Sequence, residues 1–466
     1  MTTAAPRLPD GFGVHLHDDV QVGRFLVSRS RVVRLSDEAR DLLSDRELRV
    51  TSSRTAQLAS RLLDLDLGDP VLDGVPGPGL DLLTVVIPVR DCADGVDRLL
   101  RRLGTRVRCV VVDDASHDSR ALAGVVEGHG AALLRLDMNI GPAGARDRGL
   151  REARTPYVAF VDADIDVLPE VLERLLHHLV DPGLAAVAPR VLSAEVGSWL
   201  GRYERSFGSI DLGPRAATVR QWSPVSYVPT ACLVTRVAAL GEGFDTTMRV
   251  GEDVDLVWRL DRDGHRVRYA AEVTVTHDIR ESFPDWLGRK TFYGQSAALL
   301  ARRHGARMAP GVMSPIAATA VAGLLVQRRW STAVSLACVA VTARSAWNGT
   351  PSDLPRRQRA AVLQATLRGM IGQTSGLMLR HWAPVTLALS ICSTRMRRAA
   401  AVVGLADGLL AHHTSKVTLD PIRFIAMRRA EHLAYGIGVW SGAARERSAD
   451  CLRLHWLPIK LRKSTP

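Results

Sequence analysis

Tyr157-Val158-Ala159-Phe160-Val161-Asp162-Ala163-Asp164 is the stretch on which the reading of this chain turns. Five apolar residues in a row have the length and composition of a strand buried on both faces. Two carboxylates two positions apart, just beyond its end, can share a hard divalent cation and the diphosphate that such a cation bridges. Open α/β sheets bind their ligands at that place, outside the carboxyl ends of the strands. The competing reading is an Asp cap on the following helix, a role that Asp166 can take in part.

Upstream of this stretch, apolar runs alternate with helical patterns. Leu83-Thr84-Val85-Val86-Ile87-Pro88 reads as a strand, Val96–Leu103 as a helix, and Val107-Arg108-Cys109-Val110-Val111-Val112 as a second strand ending in Asp113-Asp114. A short strand over Ala132–Leu136 and a helix over Pro142–Ala153 complete the series. Strands alternating with helices predict an α/β fold with a parallel sheet in a doubly wound layer. Downstream the pattern loosens, with strands expected over Val219–Trp222, Val228–Thr235 and Val273–His277, and helices over Glu252–Asp263 and Phe283–His304.

Three further segments carry polar chemistry. Asp113-Asp114-Ala115-Ser116 follows a strand, and its carboxylates can accept hydrogen bonds from a nucleobase N–H and ribose hydroxyls, or can cap an ordinary turn. Asn139-Ile140-Gly141-Pro142-Ala143-Gly144-Ala145-Arg146 opens a helix whose N-terminus attracts negative charge, and Arg146 can reach a phosphate. It is not a P-loop, because no Gly-Lys-Ser/Thr follows. Gly251-Glu252-Asp253 starts another helix. Acidic residues there suit the helix dipole, and Asp253 could also serve as a general base, with Glu252 beside it in a catalytic pair. His277, after a strand, is a candidate third metal ligand or a structural histidine.

Ahead of this region, residues 11–75 read as a small module. Val14, Leu16, Phe25, Val27, Val32 and Val33 alternate as in a β-hairpin, Ser36 caps a helix-like stretch, and a second helix is expected over Ser53–Leu63, a winged-helix-like combination. The Gly/Pro run Asp73-Gly74-Val75-Pro76-Gly77-Pro78-Gly79 then predicts a linker.

The 466 residues carry a formal net charge of +12, unevenly spread: residues 301–466 hold 24 Lys+Arg against 6 Asp+Glu, and residues 1–300 hold 37 against 43. In the last third the basic residues flank apolar runs, Met308–Gln327, Trp330–Ala343 and Trp382–Thr394, which are free of charge. That mixture favours a membrane surface over nucleic acid, with the runs as buried or interfacial helices, the first just reaching spanning length. DNA docking by the N-terminal module is opposed by Asp37, Glu38, Asp41, Asp45 and Glu47 on its first helical stretch. The six cysteines show no C-x-x-C pair and suggest a reducing compartment. Met1 to Val20 lacks a basic start followed by an apolar core, so no secretory signal is expected.

Taken together, Val86-Ile87-Pro88-Val89, Val111-Val112-Asp113-Asp114-Ala115-Ser116, Asn139-Ile140-Gly141 with Ala145-Arg146, Asp162-Ala163-Asp164 and Gly251-Glu252-Asp253 resemble, in order, the inverting family-two nucleotide-sugar glycosyltransferases. The resemblance covers about residues 82–280 and implies a GT-A-like fold. It implies that Val89, Asp91, Asp113 and Asp114 hold the nucleoside, with Arg146 near the diphosphate. Asp162 would lie beside the donor and, with Asp164, near a Mg2+ or Mn2+ ion, and Asp253 would be the base. Arg289-Lys290-Thr291-Phe292-Tyr293-Gly294 stands where processive synthases of the family carry a Q-x-x-R-W-type motif, which speaks against long-chain polymer synthesis.

The whole architecture is similar to the mycofactocin-system glycosyltransferases. Residues 1–75 would be a peptide-recognition module, 82–305 the catalytic domain, and 306–466 a helical region associated with the inner face of the cell membrane. That resemblance implies a nucleotide-sugar donor, UDP-glucose, and a small peptide-derived acceptor or its precursor peptide, with no nucleic acid. The alternatives are a polyprenyl lipid or cell-wall glycan as acceptor, or a non-enzymatic peptide- or nucleic-acid-binding protein.

Overall fold

In the computed structural model, residues 7–456 are described, apart from 29–31, 44, 195–196, 279–281, 353 and 416. The chain divides into two compact units, Met1–Asp18 with Leu35–Ile279, and Asp19–Arg34 with Arg280–Pro466.

The first unit opens with β1 (Gly13–Leu16). Next come β2 (Phe25–Val27) and β3 (Val32–Arg34), which pair antiparallel with each other and belong to the second unit. After α1 (Asp37–Asp41), β4 (Glu47–Arg49), α2 (Ser53–Asp64) and β5 (Gly68–Val71), the small sheet has the order β4-β1-β5. The hairpin expected across Val14–Val33 is thus split. β1 pairs with β4 and β5 instead, because Val14 and Leu16 are fully buried and seek the sheet that faces α2. The expected hairpin's turn at 29–31 lies outside the described residues. β5 contains Pro70, which an edge strand tolerates and a central strand would not. α2 is held at its start by a reciprocal Ser52–Thr55 capping box.

This module is fastened to the main sheet by polar contacts. Asp66 accepts from the Thr218 amide at 2.7 Å, Asp64 pairs with Arg266 at 3.2 Å, and Asp69 pairs with the buried Arg268 at 2.7 Å. Burial works against the Asp69 carboxylate, yet His17 and Arg268 hold its pKa far below the usual range. The expected linker runs past His177, whose ring nitrogen meets the Val75 carbonyl at 2.7 Å.

The main sheet is built from β6 (Leu83–Val89), α3 (Ala93–Leu103), β7 (Arg108–Asp113), α4 (Ser119–Gly128), β8 (Ala132–Arg135), α5 (Gly141–Glu152), β9 (Tyr157–Val161), β10 (Ile165–Asp166), α6 (Pro169–His178), β11 (Leu184–Ser193), α7 (Trp199–Phe207), β12 (Ala217–Thr218), β13 (Cys232–Arg236), α8 (Glu252–Arg262) and β14 (Arg266–His277). Its order is β10-β14-β11-β13-β9-β6-β7-β8, with β12 on β14. β9, β6, β7 and β8 run parallel, as the alternating pattern predicts. The other half is mixed, because β13 runs antiparallel to both β9 and β11. Val219–Trp222 is not a strand; the short β12 precedes it.

The core lies between this sheet and α3, α4 and α6, centred on Val85, Ile87, Val111, Val161 and Leu172. On α5, Gly149 approaches β6 so closely that a Cβ there would collide with Val86. That proximity aims the start of α5 at the strand ends.

The second unit is helical: α9 (Phe283–His304), β15 (Val312–Met313), α10 (Pro315–Val326), α11 (Arg329–Asn348), α12 (Arg356–Gly376), a π-helical turn at Leu377–His381, α13 (Ala383–Cys392), α14 (Thr394–Thr414), α15 (Pro421–Arg445) and β16 (His455–Trp456). Its tightest seam joins α9 to α15, where Gly294, Gly438 and Gly442 let the two backbones touch. Lys290 is buried there and paired with Glu431 at 3.1 Å. Among the described residues no helix is long and apolar enough to cross a membrane. The marginal span expected over Met308–Gln327 is broken, because Ser314 caps a helix that begins at Pro315 and runs only 12 residues.

Candidate active site

Four strand ends and two helix starts converge on one face of the first unit. The end of β6 and the end of β7 are tied by the Asp114 amide, which donates to the Val89 carbonyl at 2.8 Å. Asp91 follows in a left-handed conformation, φ 56°, and Ala115 repeats it at φ 59°. Asp91 takes the His117 amide at 2.7 Å and its ring at 2.9 Å, contacts that hold its carboxyl below the usual range.

Asp114 is spent on structure: its two oxygens accept from the amides of Ile140 at 2.7 Å and Gly141 at 2.9 Å, fixing the entry to α5. Asp113 differs. One oxygen accepts from the Ser116 amide at 2.8 Å, whereas Oδ2 is buried without a hydrogen-bond partner. A buried acceptor left unmade is costly, and so marks a place where a ligand donor can bind.

Arg146 enters from α5 and is 4% exposed. It donates to Asp162 at 2.6 Å and to Glu252 at 2.8 Å, joining the end of β9 to the start of α8. Burial alone would lower its pKa, but Asp162 and Glu252 together raise it, so it stays charged. The Asp162 amide is held by the Ala231 carbonyl at 2.9 Å. Asp164 meets His277 at 3.2 Å, the imidazole arriving from the last residue of β14. Gly251, in a left-handed conformation at φ 81°, lets α8 begin with Glu252 and Asp253 facing Arg146.

One guanidinium therefore faces Asp162, Glu252 and Asp253, with Asp164 next to Asp162. The surplus negative charge has consequences. Burial first, and then Asp164, raise the pKa of Asp162. Burial, and then the neighbouring Glu252, push Asp253 up to about 7, against the pull of the Val254 amide and Arg146. A carboxyl near neutrality is the state in which a side chain can accept a proton and later release it.

Among the described residues no three His, Cys, Asp or Glu side chains already converge as a metal site. The residues nonetheless fit a divalent cation in two respects. Asp162, Asp164 and His277 offer hard oxygen donors and an imidazole, and the burial and the Asp164 charge that raise the pKa of Asp162 are both disfavours that a bound cation offsets. The structure thus joins Arg146 to Asp162 and Glu252, and Asp164 to His277, while Asp114 and Arg146 serve as braces.

Two neighbours carry no motif. Gly95, on α3, lies where a Cβ would sit 2.6 Å from the Ala163 carbonyl. Arg249 donates to the Asn139 carbonyl at 3.1 Å and leaves an exposed guanidinium beside the loop that opens α5. Its place just before Gly251-Glu252-Asp253 is the one signal that could have found it.

A mixed α/β sheet with acidic residues at its strand ends is the architecture of a GT-A-like glycosyltransferase domain. Residues 84–243 match the family described as Glycosyl transferase family 2. Over 474 aligned residues the chain is 38% identical to the Pre-mycofactocin glycosyltransferase of Mycobacterium tuberculosis strain H37Rv, covering 96% of this chain and 98% of that protein. The chain belongs to that glycosyltransferase family. It is also 28% identical over 235 residues to the Succinoglycan biosynthesis protein ExoO of Rhizobium meliloti, covering 46% of this chain and 64% of that one. A solved mannosyltransferase of Pyrobaculum calidifontis is similar at TM-score 0.37 and 18% identity, over 64% of this chain and 91% of that one.

Proposed function

We propose that the enzyme transfers glucose from UDP-glucose, with inversion, to a hydroxyl of the peptide-derived mycofactocin precursor. The observation that carries this reading is the end-to-end similarity to a pre-mycofactocin glycosyltransferase, joined to the carboxylate geometry. In this reading Asp113 Oδ2 accepts the nucleobase N–H, and Val89, Asp91 and Asp114 shape the nucleoside cradle. Asp164, with Asp162 and His277, holds a Mg2+ or Mn2+ ion, which supplies positive charge to the departing diphosphate. Asp253 accepts the proton of the acceptor hydroxyl as the new bond forms at the anomeric carbon, on the face opposite the leaving group. Glu252, fixed by Arg146, holds the start of α8 in register with the donor.

Purified protein offered a panel of UDP- and GDP-sugars, with and without Mg2+ or Mn2+, should release nucleotide from UDP-glucose only with metal and acceptor present. Release from another donor would replace the sugar assignment, and metal-independent turnover would remove the ion. A second reading, a polyprenyl lipid acceptor, is favoured by the exposed apolar helices of the second unit. It predicts labelled sugar in extracted lipid and none in the soluble acceptor.

A further inference from the structure

We infer that the second unit binds a phosphate group, as the free ion or on a small ester, between the π-helical turn and α15. Three arginines meet one carboxylate there. Asp407, on α14, accepts from Arg428 at 2.8 and 3.2 Å, from Ser375 at 3.1 Å and from Arg429, so both its oxygens are engaged. Burial works against its charge, yet Arg428 and Arg429 hold its pKa far below the usual range. The third arginine, Arg380, comes from the π-helical turn, a rare geometry that recurs at functional sites. It stacks on Tyr435, 3.9 Å from the ring centre, and its Nε is buried without a hydrogen-bond partner. Among the described residues no carboxylate pairs with Arg380. Neighbouring carboxylates are committed elsewhere, Glu431 to Lys290 and Asp420 to Arg423.

His432 lies one turn along α15 from Arg428. It is 6% exposed, and its Nδ1 is buried with no hydrogen-bond partner. Burial, and then the charges of Arg428, Arg429 and Arg380, hold its pKa far below the usual range, so the ring is neutral. A neutral imidazole can carry its one hydrogen on Nδ1 and donate it. Three guanidiniums against one carboxylate leave a surplus of two positive charges. Like charges held together away from water are costly unless a counter-charge joins them. A phosphate dianion matches that surplus, and its tetrahedral oxygens suit several guanidinium forks, where a carboxylate offers only two oxygens. The ion has a way in, because the Arg428 and Arg429 side chains stay 15% and 25% exposed. The turn that carries Arg380 is already in place, packed so closely on α15 that a Cβ at Gly436 would collide with the Arg380 carbonyl.

The test is equilibrium dialysis of the full chain against radiolabelled orthophosphate in a chloride buffer free of divalent metal. Arg380→Gln should weaken phosphate binding by about tenfold or more, and Arg380→Lys, which keeps the charge but not the fork, should weaken it less. His432→Phe, which keeps the ring and removes the donor, should weaken it as well. Without phosphate, Arg380→Gln should melt no lower than the parent, because it relieves repulsion among the arginines. A parent chain that retains no phosphate overturns the inference. So does binding that Arg380→Gln leaves unchanged, since the ion would then lie elsewhere in the molecule. Competition with glycerol 3-phosphate and with its dihexanoyl ester, a soluble phosphatidic acid, names the source. Equal displacement by the two supports a small phosphate ester, and stronger displacement by the acylated one supports a lipid headgroup. Sugar transfer is not read, so the outcome is independent of the donor and the acceptor.

Discussion

Arg146 and Asp253 have different parts in the proposed mechanism, and substitutions separate them. Arg146→Met leaves Asp162 and Glu252 without their shared cation in a buried place. Losing one partner of a buried pair costs about 3–5 kcal/mol, so the variant should melt well below the parent. Arg146→Lys, with one ammonium in place of a fork, should recover part of that loss. Asp253→Asn should lower kcat by about 10²- to 10⁴-fold with donor affinity, read by calorimetry, unchanged. The parent enzyme should lose kcat/KM as pH falls through about 7, because Asp253, the proposed base, is then protonated. The same substitution should stabilise the fold. The carboxyl of Asp253 has its pKa raised on folding, so its charged form is disfavoured in the folded state. The gain of Asp253→Asn in melting temperature should be largest above pH 7 and shrink as the pH falls towards the ordinary carboxylate value.

At the scale of elements, close backbone approach recurs where function or packing needs it. Gly95 lets α3 press on the turn between Asp162 and Asp164. Gly95→Ala should displace that turn, cut turnover about tenfold and lower the melting temperature as well, since a backbone carbonyl must give way to the new Cβ. Gly438 plays the packing counterpart, with a Cβ there colliding with the Thr291 carbonyl across the α9–α15 seam. Gly438→Ala should destabilise the second unit by about 1–3 kcal/mol, seen as an earlier melting transition of that unit. The strands β6, β7 and β9 were legible because runs such as Leu83–Pro88 are apolar without interruption. β11 was not, because Ala185, Ala186, Ala188 and Pro189 weaken the strand pattern, and the run becomes a strand only when β13 and β14 flank it.

For the whole molecule, the N-terminal module is part of the first unit's stability as well as a separate pattern in the sequence. Removing residues 1–75 would strip Arg268 of Asp69 and Arg266 of Asp64, while exposing the apolar surfaces that β1 and α2 cover. A chain starting at residue 76 should therefore unfold at lower denaturant and bind hydrophobic dye, while the isolated Asp69→Asn variant should show only part of that loss. A truncated chain as stable as the parent would make the module an independent attachment.

The sequence by itself determined the alternation of strands and helices, the acidic residues at the strand ends and the basic, apolar last third. Each of these is a local property: a run of apolar side chains, a charge, a glycine. Tertiary structure decided what the charges do. Asp113 and Asp114 are adjacent in sequence, yet Asp114 is consumed by the amides of Ile140 and Gly141 while Asp113 keeps a buried oxygen without a hydrogen-bond partner. Arg146 could have faced solvent, but folding places it between carboxylates 16 and 106 residues away. The near-neutral Asp253 exists only because burial and Glu252 are brought to bear on it at once. Electrostatic work of that kind depends on distance and desolvation, which the order of residues does not contain.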